Sequence, residues 1–218
     1  MANLITLSRL LLTMFVVALV YRLPPAWQLA NVVLLIVVFV TDGVDGHVAR
    51  KLGESSKFGA MFDIACDRIV ELTMWIVFVD IDLVPLWVPL VFIVRGVVVD
   101  AIRSTQAIEH RQTPFSMLES RIGRFLVAGK FMRIFYAVLK AVTFCWLMLI
   151  YALPATVPAL WEQWSVVFAG ASRVLVLSSV SICLLRAAPV VIEFIRAERH
   201  MLLGSLLRGN DTQLHQVD

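Results

Sequence analysis

Long apolar runs separated by short polar segments set the environment in which this chain can fold. A helix that crosses a bilayer needs about 20 mostly apolar residues. Six stretches approach or meet that length: Ile5–Tyr21, Ala26–Thr41, Ala60–Val79, Val84–Ile102, Val127–Tyr151 and Val166–Leu185. The second is short for a span and is expected to continue as helix into the Asp42 region. Pro24-Pro25, Val84-Pro85 and Leu153-Pro154 mark boundaries, because proline removes a backbone donor. Hydrophobic residues make up 60% of the chain, against about 45–50% in soluble domains. A soluble bundle of this composition would expose large apolar patches and associate. The expected fold class is therefore all-α: a polytopic membrane protein with six transmembrane helices. Residues 1–208 are expected to form one domain, with a disordered polar tail over 209–218.

The run from Leu10 to Val20 follows Arg9 and superficially resembles a signal peptide. It continues into Tyr21-Arg22-Leu23-Pro24-Pro25 without a small-residue cleavage site, so it reads as a retained first helix. Lysine and arginine favour cytoplasmic loops. They occur at Arg50, Lys51 and Lys57, at Arg103, Arg111, Arg121 and Arg124, and at Arg186, Arg196, Arg199 and Arg208. The turns near Asp80–Asp82 and Pro154–Glu162 carry none, and only Arg22 lies on that side. Both termini and the segment from Asp42 to Lys57 are thus expected to face the cytoplasm. No interleaved basic and aromatic run points to nucleic acid. Cys66, Cys145 and Cys183 are far apart in apolar segments and lack metal-ligand spacing, which argues against disulfides and zinc.

One polar constellation stands out. Asp42 and Asp45 are three residues apart at the end of the second stretch, and Asp63 and Asp67 are four apart at the start of the third. On helices, both spacings put the two side chains on one face. If those two helices pack antiparallel, four carboxylates meet near the cytoplasmic surface. Bare carboxylates so placed repel one another and are costly in a membrane. A hard divalent cation, which prefers oxygen ligands, offsets that cost better than Arg50, Lys51, Lys57 or Arg68. Two Mg²⁺ ions, with Mn²⁺ as the alternative, could share the four groups and polarise a bound pyrophosphate. Gly46, Ala49, Gly59 and Ala60 would let backbones or a flat base approach closely. Arg50 has a fork suited to phosphate oxygens, and Ser55 and Ser56 offer hydroxyls. The bland alternative, helix-end aspartates among snorkelling arginines, explains Asp42 alone but not four acids at this spacing.

From Asp42 to Asp67 the residues read D-x2-D-G-x2-A-R-x8-G-x3-D-x3-D, fixing eight residue types over 26 positions. This resembles the signature of the CDP-alcohol phosphotransferases, six-span enzymes of phospholipid synthesis. The resemblance implies transfer of a phosphatidyl group from CDP-diacylglycerol to an alcohol, with release of CMP. It implies that Asp42, Asp45 and Asp63 ligate metal and that Asp67 is the general base, also touching the second metal. It further implies that Gly46, Arg50, Ser56 and Gly59 contact the CDP-lipid. A homodimer in a bacterial inner membrane, with the site facing the cytoplasm, is the corresponding expectation.

The acceptor is less legible. Arg95, Arg103, Lys130 and Arg133 are the candidate acceptor-binding residues, with Arg111, Arg121, Arg124 and Lys140 as further cations. Intramembrane cations usually face a polar cavity or a partner, which suits an anionic acceptor. The alternative pairs Arg95 with Asp100 and lets the others snorkel. Arg95-Gly96 through Arg103 resembles the arginine-flanked fourth span of phosphatidylglycerophosphate synthases, and Gly129-Lys130 with Arg133 resembles their fifth. Those enzymes usually carry an acid where Gly96 stands and often a lysine where Arg68 stands. Asp67-Arg68 is also like inositol-phosphate-using relatives. Glycerol 3-phosphate is the expected acceptor, followed by inositol phosphate, then uncharged inositol or serine. A cation-binding transporter is the alternative of a different class, and it predicts midplane carboxylates and broken helices. His47 occupies a variable motif position and reads as a headgroup-level histidine. Trp87, Trp161 and Trp164 read as interfacial anchors.

Overall fold

The computed structural model describes the backbone of residues 2–52, 57–110 and 129–214. The side chains of residues 1–3, 5, 42–58, 60, 103, 105–128 and 197–218 lie outside that description. Among the described residues there are six long helices and no strand. They are α1 (Ala2–Arg22), α2 (Leu29–Leu52), α3 (Lys57–Asp80), α4 (Trp87–His110), α5 (Lys130–Thr156) and α6 (Pro158–Leu214). The all-helical expectation holds. So does the continuation of the second apolar stretch, since α2 runs through Asp42 and Asp45 without a break.

The contacts divide the chain into two compact units. One comprises Met1–Ile93 with Phe135–Ser181, the other Val94–Ile134 with Ile182–Asp218.

In the first unit, α1 packs on α2 and on α3. Thr6, Arg9, Thr13, Val16 and Val20 are all buried, and their steps of three and four residues define one helix face. Asn31, Leu35 and Val38 of α2 are buried in the same rhythm, following buried Gln28. Between the two helices, Pro24 leads into a single 3-10 turn over Pro25–Trp27. The last carbonyls of a helix lack intrahelical donors, and here a side chain supplies one. Gln28 Nε2 donates to the carbonyls of Val20 and Leu23 at 3.0 and 3.1 Å, while its Oε1 accepts from Asn31 Nδ2 at 2.6 Å. Gln28→Leu would leave these groups buried without partners. It is expected to lower stability by about 1–3 kcal/mol, read as a lower unfolding temperature in detergent. An unchanged midpoint would mean that the amide is dispensable.

Deeper in this unit, aromatic rings from four helices meet. Trp75 stacks on Phe92 at 4.9 Å and meets Phe144 edge-on at 4.8 Å. Phe78 and Phe39 approach the same Phe144 at 5.6 and 5.9 Å. Offset and edge-on geometries of this kind add to simple burial. Thr143 and Ser179 hydroxyls lie 3.0 Å apart, and Trp146 Nε1 donates to Ser172 Oγ at 3.1 Å, joining α5 to α6. Such polar contacts are a usual device of helix packing in lipid.

One expected boundary moves. Pro154 does not end a helix: α5 continues through it to Thr156, and the break falls at Val157, with Pro158 opening α6. Proline at the first helical position sacrifices a donor that would have no partner anyway. Near the end of α5 it costs only one bond.

In the second unit, Val99 and Ile102 of α4 pack with Ala187 and Val190 of α6. Arg186 Nη1 donates to the Met132 carbonyl at 3.0 Å.

Among the described residues, α5 and the Pro158–Arg196 part of α6 are long and apolar enough to cross a membrane, and Leu29–Thr41 is a shorter apolar helix. α3 carries four charged residues, Asp63, Asp67, Arg68 and Glu71, within three turns. Large apolar side chains also face outward, among them Leu11 (61% exposed), Met61 (73%) and Val166 (84%). Faces of this kind belong in lipid. The protein is membrane-associated, and Cys66, Cys145 and Cys183 form no disulfide.

Candidate active site

Along α3, Asp63, Asp67 and Glu71 recur every four residues and so share one side of the helix. The first two carboxylates are open, with side chains 53% and 52% exposed. Their inner side meets α1. Arg9 is buried, with only 3% of its side chain accessible, and its Nη2 lies 2.6 Å from Asp67 Oδ1 and 3.4 Å from Asp63 Oδ1. Thr6, one turn earlier on α1, donates from Oγ1 to Asp63 Oδ1 at 3.4 Å. A buried arginine needs compensating charge, and these two carboxylates supply it.

Glu71 lies one turn deeper and has 5% of its side chain exposed. Its Oε1 takes a hydrogen bond from Tyr136 Oη at 3.1 Å and an ion pair from Lys140 Nζ at 3.0 Å. Arg68 Nη1 reaches its Oε2 at 3.3 Å. Lys140 also lies over the Tyr136 ring, 4.7 Å from its centroid. A small cavity of about 100 Å³ opens where Arg9, Asp67, Glu71 and Lys140 meet Val38 and Phe39 of α2.

Asp63 and Asp67 are thus brought together on one face, as their spacing predicts. Gly59 lies on the first turn of α3. Asp42, Asp45, Gly46 and Arg50 are on α2, with side chains outside the described residues. Ser56 lies outside them altogether. Arg95 and Arg103 are on α4, and Lys130 and Arg133 open α5. Arg95 is buried at 9% exposure, and no hydrogen bond or ion pair is found for it among the described residues. The alternative Arg95–Asp100 pair is therefore not seen. Lys130 and Arg133 are exposed. Lys140, counted among the cations available to an acceptor, is instead tied to Glu71.

Thr6, Arg9, Glu71 and Tyr136 were not singled out by the sequence reading. The signal for the first two was present: Thr6, Arg9 and Thr13 form a polar stripe at helical spacing in an otherwise apolar segment. Glu71 continues the four-residue rhythm of Asp63 and Asp67.

The whole stretch carrying these acids, together with α1, falls within the match to a family model. The model for CDP-alcohol phosphatidyltransferases covers residues 1–175. The chain belongs to that family. Similar proteins include the CDP-diacylglycerol–glycerol-3-phosphate 3-phosphatidyltransferase of Bacillus subtilis (strain 168). It is 37% identical over 79 residues, which is 36% of this chain and 41% of that protein. The Escherichia coli (strain K12) protein of the same name is 34% identical over 109 residues, 48% of this chain and 59% of that one. A Mycobacterium tuberculosis (H37Rv) relative, provisionally named as a cardiolipin synthase, is 40% identical over 65 residues, 30% of this chain and 31% of its own length. The chain therefore spans less than two thirds of each of these relatives.

As metal ligands, the described residues are chemically suitable but incomplete. Asp63 and Asp67 present hard oxygen donors with open outer sides, which suits Mg²⁺. Among the described residues, no three potential ligands converge.

Proposed function

We propose that this protein transfers the phosphatidyl group of CDP-diacylglycerol to glycerol 3-phosphate, releasing CMP and giving phosphatidylglycerol phosphate. Family membership supplies the reaction class, and the names of the B. subtilis and E. coli relatives suggest the acceptor. The structural observation that carries the reading is a cavity that Asp67 of α3 shares with α2. Val38 and Phe39 line the same cavity as that carboxylate, and α2 continues from them through Asp42 and Asp45. Asp42 lies four residues beyond Val38, one helical turn. This supports a cluster of Asp42, Asp45, Asp63 and Asp67 as ligands for two Mg²⁺ ions, with Mn²⁺ as the alternative.

When bound, the metals supply charge neutralisation at the pyrophosphate. Asp67 accepts the proton of the acceptor hydroxyl as its oxygen attacks the β-phosphorus of the CDP-lipid. The bond from that phosphorus to the bridging oxygen breaks, and CMP leaves with the α-phosphate. Gly46 and Gly59 give the nucleotide close access to the backbone, Arg50 holds phosphate oxygens and Ser56 offers a hydroxyl. Arg95 is the best-supported acceptor ligand, because a buried guanidinium without a partner among the described residues calls for an anion. Arg103, Lys130 and Arg133 complete the proposed acceptor set. The same reading places six spans in a bacterial inner membrane, as one domain, with both termini and the site cytoplasmic and the chain a homodimer.

The test is CMP release by the purified protein with CDP-diacylglycerol and Mg²⁺, adding acceptors singly. Release with glycerol 3-phosphate alone is expected, and a chelator should abolish it. Release only with inositol phosphate, inositol or serine would overturn the acceptor and keep the site. Release only with phosphatidylglycerol would favour the chemistry named in the mycobacterial relative. No release with any acceptor from folded protein would favour the ion-binding alternative.

A further inference from the structure

Arg9 lies outside the aspartate motif and 54 residues before Asp63, yet it is the buried group in closest described contact with the α3 acids. A single nitrogen, Nη2, reaches Oδ1 of both Asp63 and Asp67. The side chain is buried, since α1 buries Thr6, Arg9 and Thr13 on one face, and the Thr13 hydroxyl donates to the Arg9 backbone carbonyl at 2.9 Å. The contact is also lopsided. Asp67 is held at 2.6 Å, within the range of a charge-assisted bond, whereas Asp63 is grazed at 3.4 Å. Arg9 therefore restrains the proposed base more than the proposed ligand.

We infer that Arg9 is a positioning residue. It holds Oδ1 of Asp67, which disfavours chelation of a metal through both oxygens, and it leaves Oδ2 for the acceptor hydroxyl. The inference rests on the function proposed above and adds to it the residue that holds the base in place. Asp42, Asp45 and Asp63 hold the metals most tightly, and Asp67 is kept as the base by a cation from another helix.

The role has a signature that a purely structural arginine would not give. Removing a cation beside metal ligands should tighten metal binding, while loosening the base should slow turnover. Arg9→Gln is expected to bind Mn²⁺ at least about threefold more tightly by electron paramagnetic resonance titration. Its kcat should fall by about 100-fold, the scale of a misplacement near 1 Å, with little change in KM for CDP-diacylglycerol. Arg9→Lys restores the charge on a shorter arm, so its Mn²⁺ affinity should match wild type. It should regain about tenfold in kcat over Arg9→Gln while staying about tenfold below wild type. If Arg9→Gln does not fold, Arg9→Lys decides alone, and wild-type kcat in that variant overturns the inference. Weaker Mn²⁺ binding together with lost turnover, in Arg9→Gln as heat-stable as wild type, reduces Arg9 to a scaffold and also overturns it. The Mn²⁺ readout requires no catalysis, so it stands apart from any failure of the acceptor or base assignment.

Discussion

Asp67→Asn is expected to cut CMP release at least about 100-fold and to leave CDP-lipid binding within about threefold of wild type. General bases contribute on the order of 10²–10⁴ to rate, and the proposed mechanism gives Asp67 no substitute. The replacement is close to isosteric. The side-chain oxygen of asparagine can still accept from Arg9 Nη2, the contact of 2.6 Å that locates the group. What is lost is the ability to take the proton of the acceptor hydroxyl. Single-turnover release of CMP measures the loss, and equilibrium binding of the CDP-lipid checks that the nucleotide site survives. Turnover within a few-fold of wild type would remove Asp67 from its role as base. Loss of both binding and turnover would instead make it chiefly a metal ligand.

Glu71→Ala is expected to be the most destabilising single change at this end of the molecule, by about 3–5 kcal/mol, the usual cost of breaking a buried pair. Glu71 is surrounded by Lys140, Arg68 and Tyr136. Arg68 and Lys140 side chains are only 24% and 20% exposed, so neither can fully rehydrate in place. The measurement is thermal unfolding in detergent, with Lys140→Met and the double variant completing a cycle. Because a buried charge without a partner is worse than no charge, the double variant should be more stable than Glu71→Ala alone. Additive losses would show that the pair is not coupled.

The helices and the acid motif were legible because each rests on local periodicity. Asp63 and Asp67 are four residues apart, and a helix alone makes them neighbours. The partners of these acids were less legible, since Arg9 and Thr6 come from a segment more than fifty residues away. Only the stripe of Thr6, Arg9 and Thr13 hinted that α1 turns a polar face inward. Lys140 shows the same limit: a cation in an apolar segment calls for a polar cavity or a partner, and only the fold shows that the partner is Glu71 from another helix. Pro154 reads as a helix boundary in the sequence because proline weakens any helix. Pro158, which the helix geometry favours as a first residue, is where the chain breaks.

The Arg9 contact also bears on how the chain is made. Under the proposed six-span topology, a charged residue on an inserting helix costs up to roughly 2.5–3.5 kcal/mol on translocon scales, and less away from the bilayer centre. α1 leaves the ribosome carrying its cation long before Asp63 and Asp67 exist to neutralise it. α3 then arrives with Asp63, Asp67 and Glu71 on one side. Neither helix is a comfortable guest in lipid alone, and each supplies what the other lacks. The first helix would be expected to linger at the insertion machinery, or near the headgroups, until the third has been synthesised. Membrane integration of this protein would then be paced by the same charges that form its proposed site.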